Sequence, residues 1–282
     1  MNIVIALLPA IGWGVMPLIV SKVKNSQPTN QILGVGIGAT IFGVIVTLIQ
    51  RPAMDKFSFS MALLSGMLWT IGQIGQFVSF TRIGVSKTMP ISTGLQLIGN
   101  TIIGVLMFGE WKEINQYVIG TLALILIIIG VVLTSVSKNP NSKKITSKDL
   151  LFLLVTTIGY WIYSAFPKTI SASAQALFLP QMIGILIGAL LFAIFTGRRK
   201  DIMQRATWLD AIAGIAFGIG AFSYIMSAQI NGVTNAFIYS QLSVILSTLG
   251  GMTLLGEHKY GKELLATLVG LALILVGAAL QS

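Results

Sequence analysis

Ten long apolar runs constrain this chain more than any other feature of its sequence. They cover approximately residues 3–20, 31–50, 60–80, 89–108, 116–136, 150–167, 174–196, 208–228, 235–255 and 262–280. A helix needs about 20 mainly apolar residues to cross the hydrocarbon core of a bilayer. Runs this long fit helices rather than barrel strands. The sequence therefore predicts an all-α membrane protein with ten transmembrane helices, the first of which is retained rather than cleaved as a signal peptide.

The charge of the chain agrees with lipid as its solvent. Only 9% of the 282 residues are charged, whereas a soluble domain has about 25%. The net charge of +10 does not indicate a nucleic-acid partner, because the cations lie between the apolar runs, where Lys and Arg report membrane orientation. All of the 18 Lys and Arg residues except Arg51, Lys56, Lys112 and Lys168 fall on one side. That side is predicted to be cytoplasmic in a multi-pass plasma-membrane protein.

The sequence lacks the residues that metal binding, cofactor binding or enzymatic catalysis would need. The chain has no cysteine and one histidine, His258, so the sequence predicts no metal site and no cofactor. It also contains no nucleophile–base pair and no phosphate-binding loop, which argues against an enzyme.

Short matches between the two halves predict an internal duplication. Gly109-Glu110 recurs as Gly256-Glu257, and Gly12-Trp13 recurs as Gly159-Tyr160, each 147 residues later. We expect a first five-helix repeat at 1–137, a hydrophilic linker at 138–149 and a second repeat at 150–282. Because five is an odd number, the two repeats would be inverted in the membrane, with the substrate near the midplane at their interface.

Polar side chains on the third and fourth predicted helices are candidate substrate contacts. Helical spacing places Trp69, Gln73 and Gln76 on one face and Thr93, Gln96 and Asn100 on another. Amides exchange hydrogen bonds with hydroxyls, and aromatic faces stack on the C–H faces of sugars. The pattern predicts a site for a small neutral, hydroxyl-rich solute, with Trp13 or Trp69 stacking on its ring. Further candidates are Tyr160, Tyr224, Asn235, Tyr239 and Gln241.

Each of these residues also has a structural interpretation. Amides within membranes join helices to one another, and Trp and Tyr form belts at the interfaces. The predicted helices carry no Asp or Glu near their middles, which favours a neutral substrate over a cation.

Four charged residues are candidates for coupling or gating: Glu110, Glu257, Arg82 and Lys168. Alternatively, the two glutamates cap helix ends or pair with Lys112 and Lys259, and Lys168 reaches the membrane interface.

The motifs resemble a known family. The most specific stretch is GVSKTMPISTGLQL at 84–97, and supporting stretches are LLPAIGWG at 7–14, GQIGQ at 72–76, IGYWIYSA at 158–165, LPQMIG at 179–184 and SQLSVILSTLGG at 240–251. Together they resemble the glucose/ribose uptake porters of Gram-positive bacteria, a branch of the ten-helix drug/metabolite transporter superfamily.

The resemblance implies two inverted five-helix repeats and a central site near helices 1, 3, 4, 6, 8 and 9. It also implies proton-driven uptake of a monosaccharide. IGYWIYSA and the SAQ at 227–229 are more similar to ribose-uptake members, whereas GVSKTMPISTGLQL and the LGE stretches are more similar to glucose-uptake members. The choice between the two sugars stays open.

Two alternatives to sugar uptake remain at the level of sequence. The same fold could export drugs or small metabolites, which would require a more apolar cavity. The chain could also be a membrane-embedded enzyme or scaffold, which would tolerate loss of the amides. The expected partners are a sugar, protons and the lipid bilayer, and the sequence indicates no oligomeric state.

Overall fold

The fold was obtained as a computed structural model, which describes residues 2–136, 144–166 and 172–280. Every regular element in these residues is helical. The helices are α1 (Ile3–Lys22), α2 (Pro28–Gln50), α3 (Lys56–Ile83), α4 (Val85–Phe108), α5 (Ile114–Ser135), α6 (Ser147–Ala165), α7 (Ala174–Phe195), α8 (Arg205–Asn231), α9 (Val233–Ser240), α10 (Leu242–Leu254) and α11 (Gly261–Leu280). A short 3-10 helix at Arg199–Met203 precedes α8.

Nine helical segments in the described ranges are long and apolar enough to span a membrane. They are α1 to α5, α7, α8, α11 and the stretch Asn235–Leu254. The one predicted span that remains is the sixth along the chain. It corresponds to α6, which has 19 residues and carries Lys148 and Asp149 in its first turn. It packs against α3 and α4 within the bundle. The predicted all-α membrane class is therefore confirmed.

The ninth predicted span is confirmed as Asn235–Leu254 and contains one local irregularity. Helix α9 ends at Ser240 and α10 begins at Leu242, and Gln241 forms a turn between them with helical backbone angles, φ −65° and ψ −18°. The backbone N–H of Gln241 donates to the carbonyls of Phe237 (3.3 Å) and Ile238 (3.2 Å).

Helix α5 shows how the bundle meets lipid. Six of its exposed large side chains recur every three or four residues, which places them in one stripe along the helix. They are Ile114, Val118, Leu122, Ile125, Ile129 and Val132, and the exposed Tyr117, Ile119 and Ile128 widen the stripe. The opposite face packs on α11 through Gly130 and Gly270, each of which lies against the other's carbonyl oxygen. A stripe of this length has hydrocarbon as its natural solvent.

Glycines set two of the closest helix crossings. On α2, Gly34 and Gly38 lie against backbone carbonyls of α8, and on α7, Gly184 lies against a carbonyl of α3 while Gly188 lies against the Thr70 side chain. A β-carbon at any of these positions would collide with its neighbour. The four-residue spacing of these glycines therefore lets the helix backbones approach closely, as small residues do in other membrane bundles.

The packing pattern is nearly unchanged when the two halves are exchanged. The α2–α8 contact corresponds to α7–α3, and the α1–α8 contact corresponds to α6–α3. Helix α1 packs on α9 and α10 as α6 packs on α4, while the α2–α7 and α5–α11 pairs correspond to themselves. This pattern supports a duplication, and the inverted orientation and the domain boundaries stay predictions. Of the predicted linker 138–149, residues 138–143 lie outside the described residues.

Candidate functional site

A chain of buried hydrogen bonds begins on α6 and crosses α3. The Tyr160 hydroxyl donates to Gln73 Oε1 at 2.8 Å, and Gln73 Nε2 donates to Gln76 Oε1 at 3.1 Å. All three side chains are buried. The i, i+3 spacing of the two glutamines on α3 is what lets one amide reach the next.

The chain continues onto α4 through a serine. Gln76 Nε2 donates to Ser92 Oγ at 2.8 Å, and Gln96 Nε2 donates to the same oxygen at 3.2 Å. Among the described residues, the structure gives no partner to Gln96 Oε1, and this side chain is only half-buried. We refer to Tyr160, Gln73, Gln76, Ser92 and Gln96 together as the amide chain. Sequence reasoning missed Ser92, although it lies one helical turn before Gln96.

Glycine allows the tyrosine to reach this position. Where α3 crosses α6, the Tyr160 ring lies over Gly72, and a β-carbon there would be 2.7 Å from the ring. On the partner helix, Gly159 lies against the carbonyl of Leu68. Each helix therefore supplies a glycine at the crossing, and the short separation brings the Tyr160 hydroxyl within reach of α3.

Aromatic rings pack beside the amide chain. The Trp69 ring centroid is 4.7 Å from Phe217, 5.8 Å from Tyr160 and 6.3 Å from Tyr163. Trp69 is only 5% exposed, so in this conformation its faces are occupied by protein. Phe217 was not predicted, because an apolar ring in a membrane helix has no distinguishing signal in the sequence.

Trp13 and Tyr224 form a second aromatic pair, between α1 and α8. Their ring centroids are 5.6 Å apart. The Trp13 Nε1 atom is buried without a hydrogen-bond partner among the described residues. A buried indole N–H without a partner costs about 1–3 kcal/mol, so a hydroxyl that reached it would bind favourably. Trp13 occupies the position equivalent to Tyr160 in the other half.

The remaining candidates lie apart from the amide chain. Asn100 donates from Nδ2 to Ser164 Oγ at 3.5 Å, which links α4 to α6, and Thr93 is half-buried. Asn235 is exposed and donates to the Asn231 carbonyl at 2.9 Å. Tyr239 is half-buried, and Gln241 Nε2 donates to Ser240 Oγ at 3.3 Å. These hydrogen bonds of Asn235 and Gln241 are local along the chain, so they do not connect α9 to the amide chain.

Glu257 caps a helix of the other half. Its two carboxylate oxygens accept hydrogen bonds from the backbone N–H groups of Val85 and Ser86, both at 2.7 Å. These groups open α4, and a carboxylate is stabilised there by unpaired N–H groups and by the helix dipole. In this conformation Glu257 is therefore in the capping arrangement, and its role in coupling stays a prediction. Glu110 lies beside Gly104 on α4.

The other two coupling candidates have different outcomes. Arg82 Nη1 lies 3.8 Å from Asp149 Oδ1, and its guanidinium carbon lies 4.8 Å from the centroid of the Phe152 ring. These contacts join the end of α3 to the start of α6. Lys168 lies outside the described residues.

A buried charged cluster surrounds the Glu257 cap. Lys87 and Lys259 are 4% and 6% exposed, and Glu263 is buried with them. Lys87 interacts electrostatically with Glu257 and Glu263. Lys259 Nζ donates to the Thr134 carbonyl at 2.6 Å and to Thr267 Oγ1 at 2.9 Å. We name Lys87, Glu257, Lys259 and Glu263 the inner charge cluster.

Burial and the neighbouring charge of Lys87 lower the pKa of Lys259 from its ordinary 10.5 to about 8. The inner charge cluster joins the first turn of α4 to the end of α5 and the start of α11. Its assembly was not predicted from the sequence, because its members are far apart along the chain.

Comparison with known proteins identifies the family. A family model described as "Sugar transport protein" matches residues 4–282. A protein of Lactobacillus helveticus that is named for a proposed role in sugar uptake is 57% identical over 281 residues, covering 100% of both chains. The RbsU protein of Latilactobacillus sakei subsp. sakei, named for a proposed role in ribose uptake, is 40% identical over 288 residues and covers 100% of this chain and 98% of its own.

A solved crystal structure supports the fold. It is 14% identical to this chain and superposes with a TM-score of 0.66, covering 99% of this chain and 95% of that one. At this identity the likeness concerns the fold alone.

The apolar spans and the family match together define a multi-pass transporter of the bacterial plasma membrane. The chain belongs to the sugar transport protein family, as the stretch at 84–97 predicts.

Proposed function

We propose that this protein takes up a neutral monosaccharide by alternating access, and that the amide chain forms one wall of its site. The observation that carries this proposal is the hydrogen-bonded series from Tyr160 through Gln73, Gln76 and Ser92 to Gln96. Such a series offers donors and acceptors at fixed positions and carries no charge, which suits a solute with several hydroxyls.

Charge supports a neutral substrate. In α3 the sequence has no charged residue between Lys56 and Arg82, and in α4 it has none between Lys87 and Glu110. A cationic or anionic substrate near the middle of these helices would lack a counter-ion there. Relatives that are named for proposed ribose uptake make ribose the first sugar to test, beside glucose.

The inner charge cluster supports a closed end in this conformation. All eight residues of α4 from Val85 to Ser92 are buried, whereas Thr93, Gln96, Asn100 and Thr101 farther along are half-buried. The end that carries most of the Lys and Arg is therefore sealed around α4. In alternating access the inner charge cluster would separate when the site opens to the cytoplasm, and a proton gradient is the proposed driving force.

Uptake into proteoliposomes tests the proposal. Labelled ribose and labelled glucose are supplied separately, with and without an inward proton gradient, to the parent protein and to Gln96→Ala. We expect saturable uptake of one sugar, a stimulation by the gradient, and a KM roughly 3- to 10-fold higher in the variant, because one neutral hydrogen bond contributes about 0.5–1.5 kcal/mol. Gln50→Ala is the matched control, since Gln50 is exposed at the end of α2.

Three outcomes count against parts of the proposal. If neither sugar enters above empty liposomes while the protein remains folded, uptake is wrong and export of other metabolites becomes the leading function. Equal KM values for Gln96→Ala and Gln50→Ala would remove the amide chain from the site. Equal uptake with and without the proton gradient would argue for facilitated diffusion and against proton coupling.

A further inference from the structure

A groove opens at the end of the bundle where the positively charged loops lie. It occupies about 790 Å³ between the end of α1, the α1–α2 connection and the first turns of α8. Its polar rim carries Lys22, Lys24 and Arg205, and its apolar part includes Ile19, Leu209 and Ile212. The groove is separate from the amide chain, because none of its lining residues belongs to α3, α4 or α6.

The three cations of this groove have no carboxylate partner among the residues that the structure describes. None of them forms an ion pair with a carboxylate in the described part of the chain. The two carboxylates nearest to Arg205 along the sequence contact other residues: Asp201 accepts from Arg198 Nε at 2.7 Å, and Asp210 accepts from the Ser26 hydroxyl at 2.5 Å through Oδ2. Within the described ranges, the groove therefore presents three cations without an ion-pair partner.

The apolar part of the groove continues from the cations into the membrane. On α8, Arg205, Leu209 and Ile212 follow the i, i+4, i+7 pattern of one helical face, and Leu209 and Ile212 are 39% and 56% exposed. This stripe extends about 10 Å along the helix axis. On α1, Ile19 lies one turn deeper than Lys22. On both α1 and α8, therefore, the cation lies nearer to water and the apolar side chains lie nearer to the hydrocarbon core.

We propose that this groove binds an anionic phospholipid. The phosphodiester group would lie between Lys22, Lys24 and Arg205, and one acyl chain would lie along Ile19, Leu209 and Ile212. Basic pockets between helices on the cytoplasmic side are suited to anionic headgroups, because the cytoplasmic leaflet supplies them at high local concentration. A lipid held here would bridge the ends of α1 and α8, the helices that carry Trp13 and Tyr224.

Retention of lipid by the purified protein tests this proposal directly. The protein is extracted from vesicles of equal parts phosphatidylglycerol and phosphatidylcholine, and the bound lipids are counted by native mass spectrometry. We expect the parent to retain phosphatidylglycerol several-fold over phosphatidylcholine, and Lys22→Gln/Lys24→Gln/Arg205→Gln to lose that preference. The matched control is Arg51→Gln/Lys56→Gln/Lys112→Gln, which removes three exposed cations from the opposite end. Equal retention in the groove variant and the control would overturn the proposal.

Two further arms distinguish a lipid from a soluble anion and isolate the role of charge. Inorganic phosphate and glycerol 3-phosphate are added at millimolar concentration to delipidated protein, and the thermal midpoint is compared with that after phosphatidylglycerol addition. If the free phosphates raise the thermal midpoint as much as phosphatidylglycerol does, the ligand is a soluble anion and the lipid proposal is overturned.

Lys22→Arg/Lys24→Arg/Arg205→Lys keeps the three positive charges and should keep the preference for phosphatidylglycerol. Loss of that preference in this variant would also count against the groove. Neither arm measures sugar transport, so the outcome is independent of the proposed uptake.

Discussion

The two ends of the bundle contain the same backbone motif in different surroundings. At one end Gly84 has φ +88° and ψ 164° and is followed by Val and Ser, and at the other Gly232 has φ +87° and ψ 151° and is followed by Val and Thr. The Gly-Glu turns match as well, since the Glu110 N–H donates to the Gly104 carbonyl at 3.1 Å and the Glu257 N–H to the Gly251 carbonyl at 3.2 Å.

The side chains around the two motifs differ. Near Gly84 the side chains of Lys87, Lys259 and Glu263 are buried, whereas at equivalent positions of the other half Lys87 is replaced by Asn235 and Lys259 by Lys112, both of which are exposed. Glu263 corresponds to Gln116, which is also exposed. The duplication therefore preserves the turns, while the charges buried near Gly84 have no buried counterpart at these equivalent positions. A transporter with two similar gates can in this way favour closure of one of them.

Among the variants that test this difference between the two ends, Lys87→Met should lower the free energy of unfolding the most. Lys87→Met removes one of the two buried cations that interact with both Glu257 and Glu263, the other being Lys259. Breaking one partner of a buried pair costs about 3–5 kcal/mol, and this is the upper limit here because Lys259 stays in place. Asn235→Met, at the equivalent exposed position, should change the free energy of unfolding by less than about 0.5 kcal/mol. Chemical denaturation in detergent compares the two variants.

A thiol reporter distinguishes opening from general destabilisation in the Lys87 variant. Since the chain has no cysteine, Ser92→Cys supplies a single thiol that lies about 7.5 Å along α4 from Lys87. We expect a membrane-impermeant reagent to label it from the cytoplasmic side faster in Lys87→Met than in the parent. Unchanged labelling would mean that the cluster stabilises the fold without closing the gate.

Alanine at the two turn glycines should separate a steric effect from backbone strain. Both Gly84 and Gly232 have positive φ, which costs another residue about 1–3 kcal/mol. A β-carbon at Gly84 would also lie 2.8 Å from the Glu257 carboxylate, whereas at Gly232 it would meet nothing within 4 Å. We therefore expect Gly84→Ala to lower the thermal midpoint more than Gly232→Ala, and equal shifts would contradict the contact with Glu257.

The last expected effect is a pH dependence at Lys259, which is confined to alkaline pH. Because its pKa falls to about 8 in the folded protein from its ordinary 10.5, the unfolded chain binds more protons between these values. The free energy of unfolding contributed by this group therefore rises as pH rises from 8 to 10.5. Lys259→Met should remove this rise, while Lys112→Met at the other end should retain it. Thermal unfolding followed across this pH range makes the comparison.

Hydropathy was sufficient to predict most of the helices, because lipid requires about 20 apolar residues for each span. Helical spacing also predicted that Gln73, Gln76 and Gln96 share the facing sides of α3 and α4. The interruption at Gln241 escaped prediction, since Ser240, Gln241 and Leu242 include neither proline nor glycine. The electrostatic interaction of Lys87 with Glu263 likewise depends on tertiary packing between distant segments, which no local sequence pattern indicates.

The Glu257 cap has a consequence for biosynthesis. The carboxylate that completes the first turn of α4 is 172 residues later in the chain than the N–H group of Val85. At about 5–20 residues per second, a ribosome needs roughly 10–30 s to make that stretch. During that interval the first backbone N–H groups of α4 would have only water or lipid headgroups as hydrogen-bond acceptors. The first turn of α4 therefore obtains its carboxylate cap only after α10 has been synthesised.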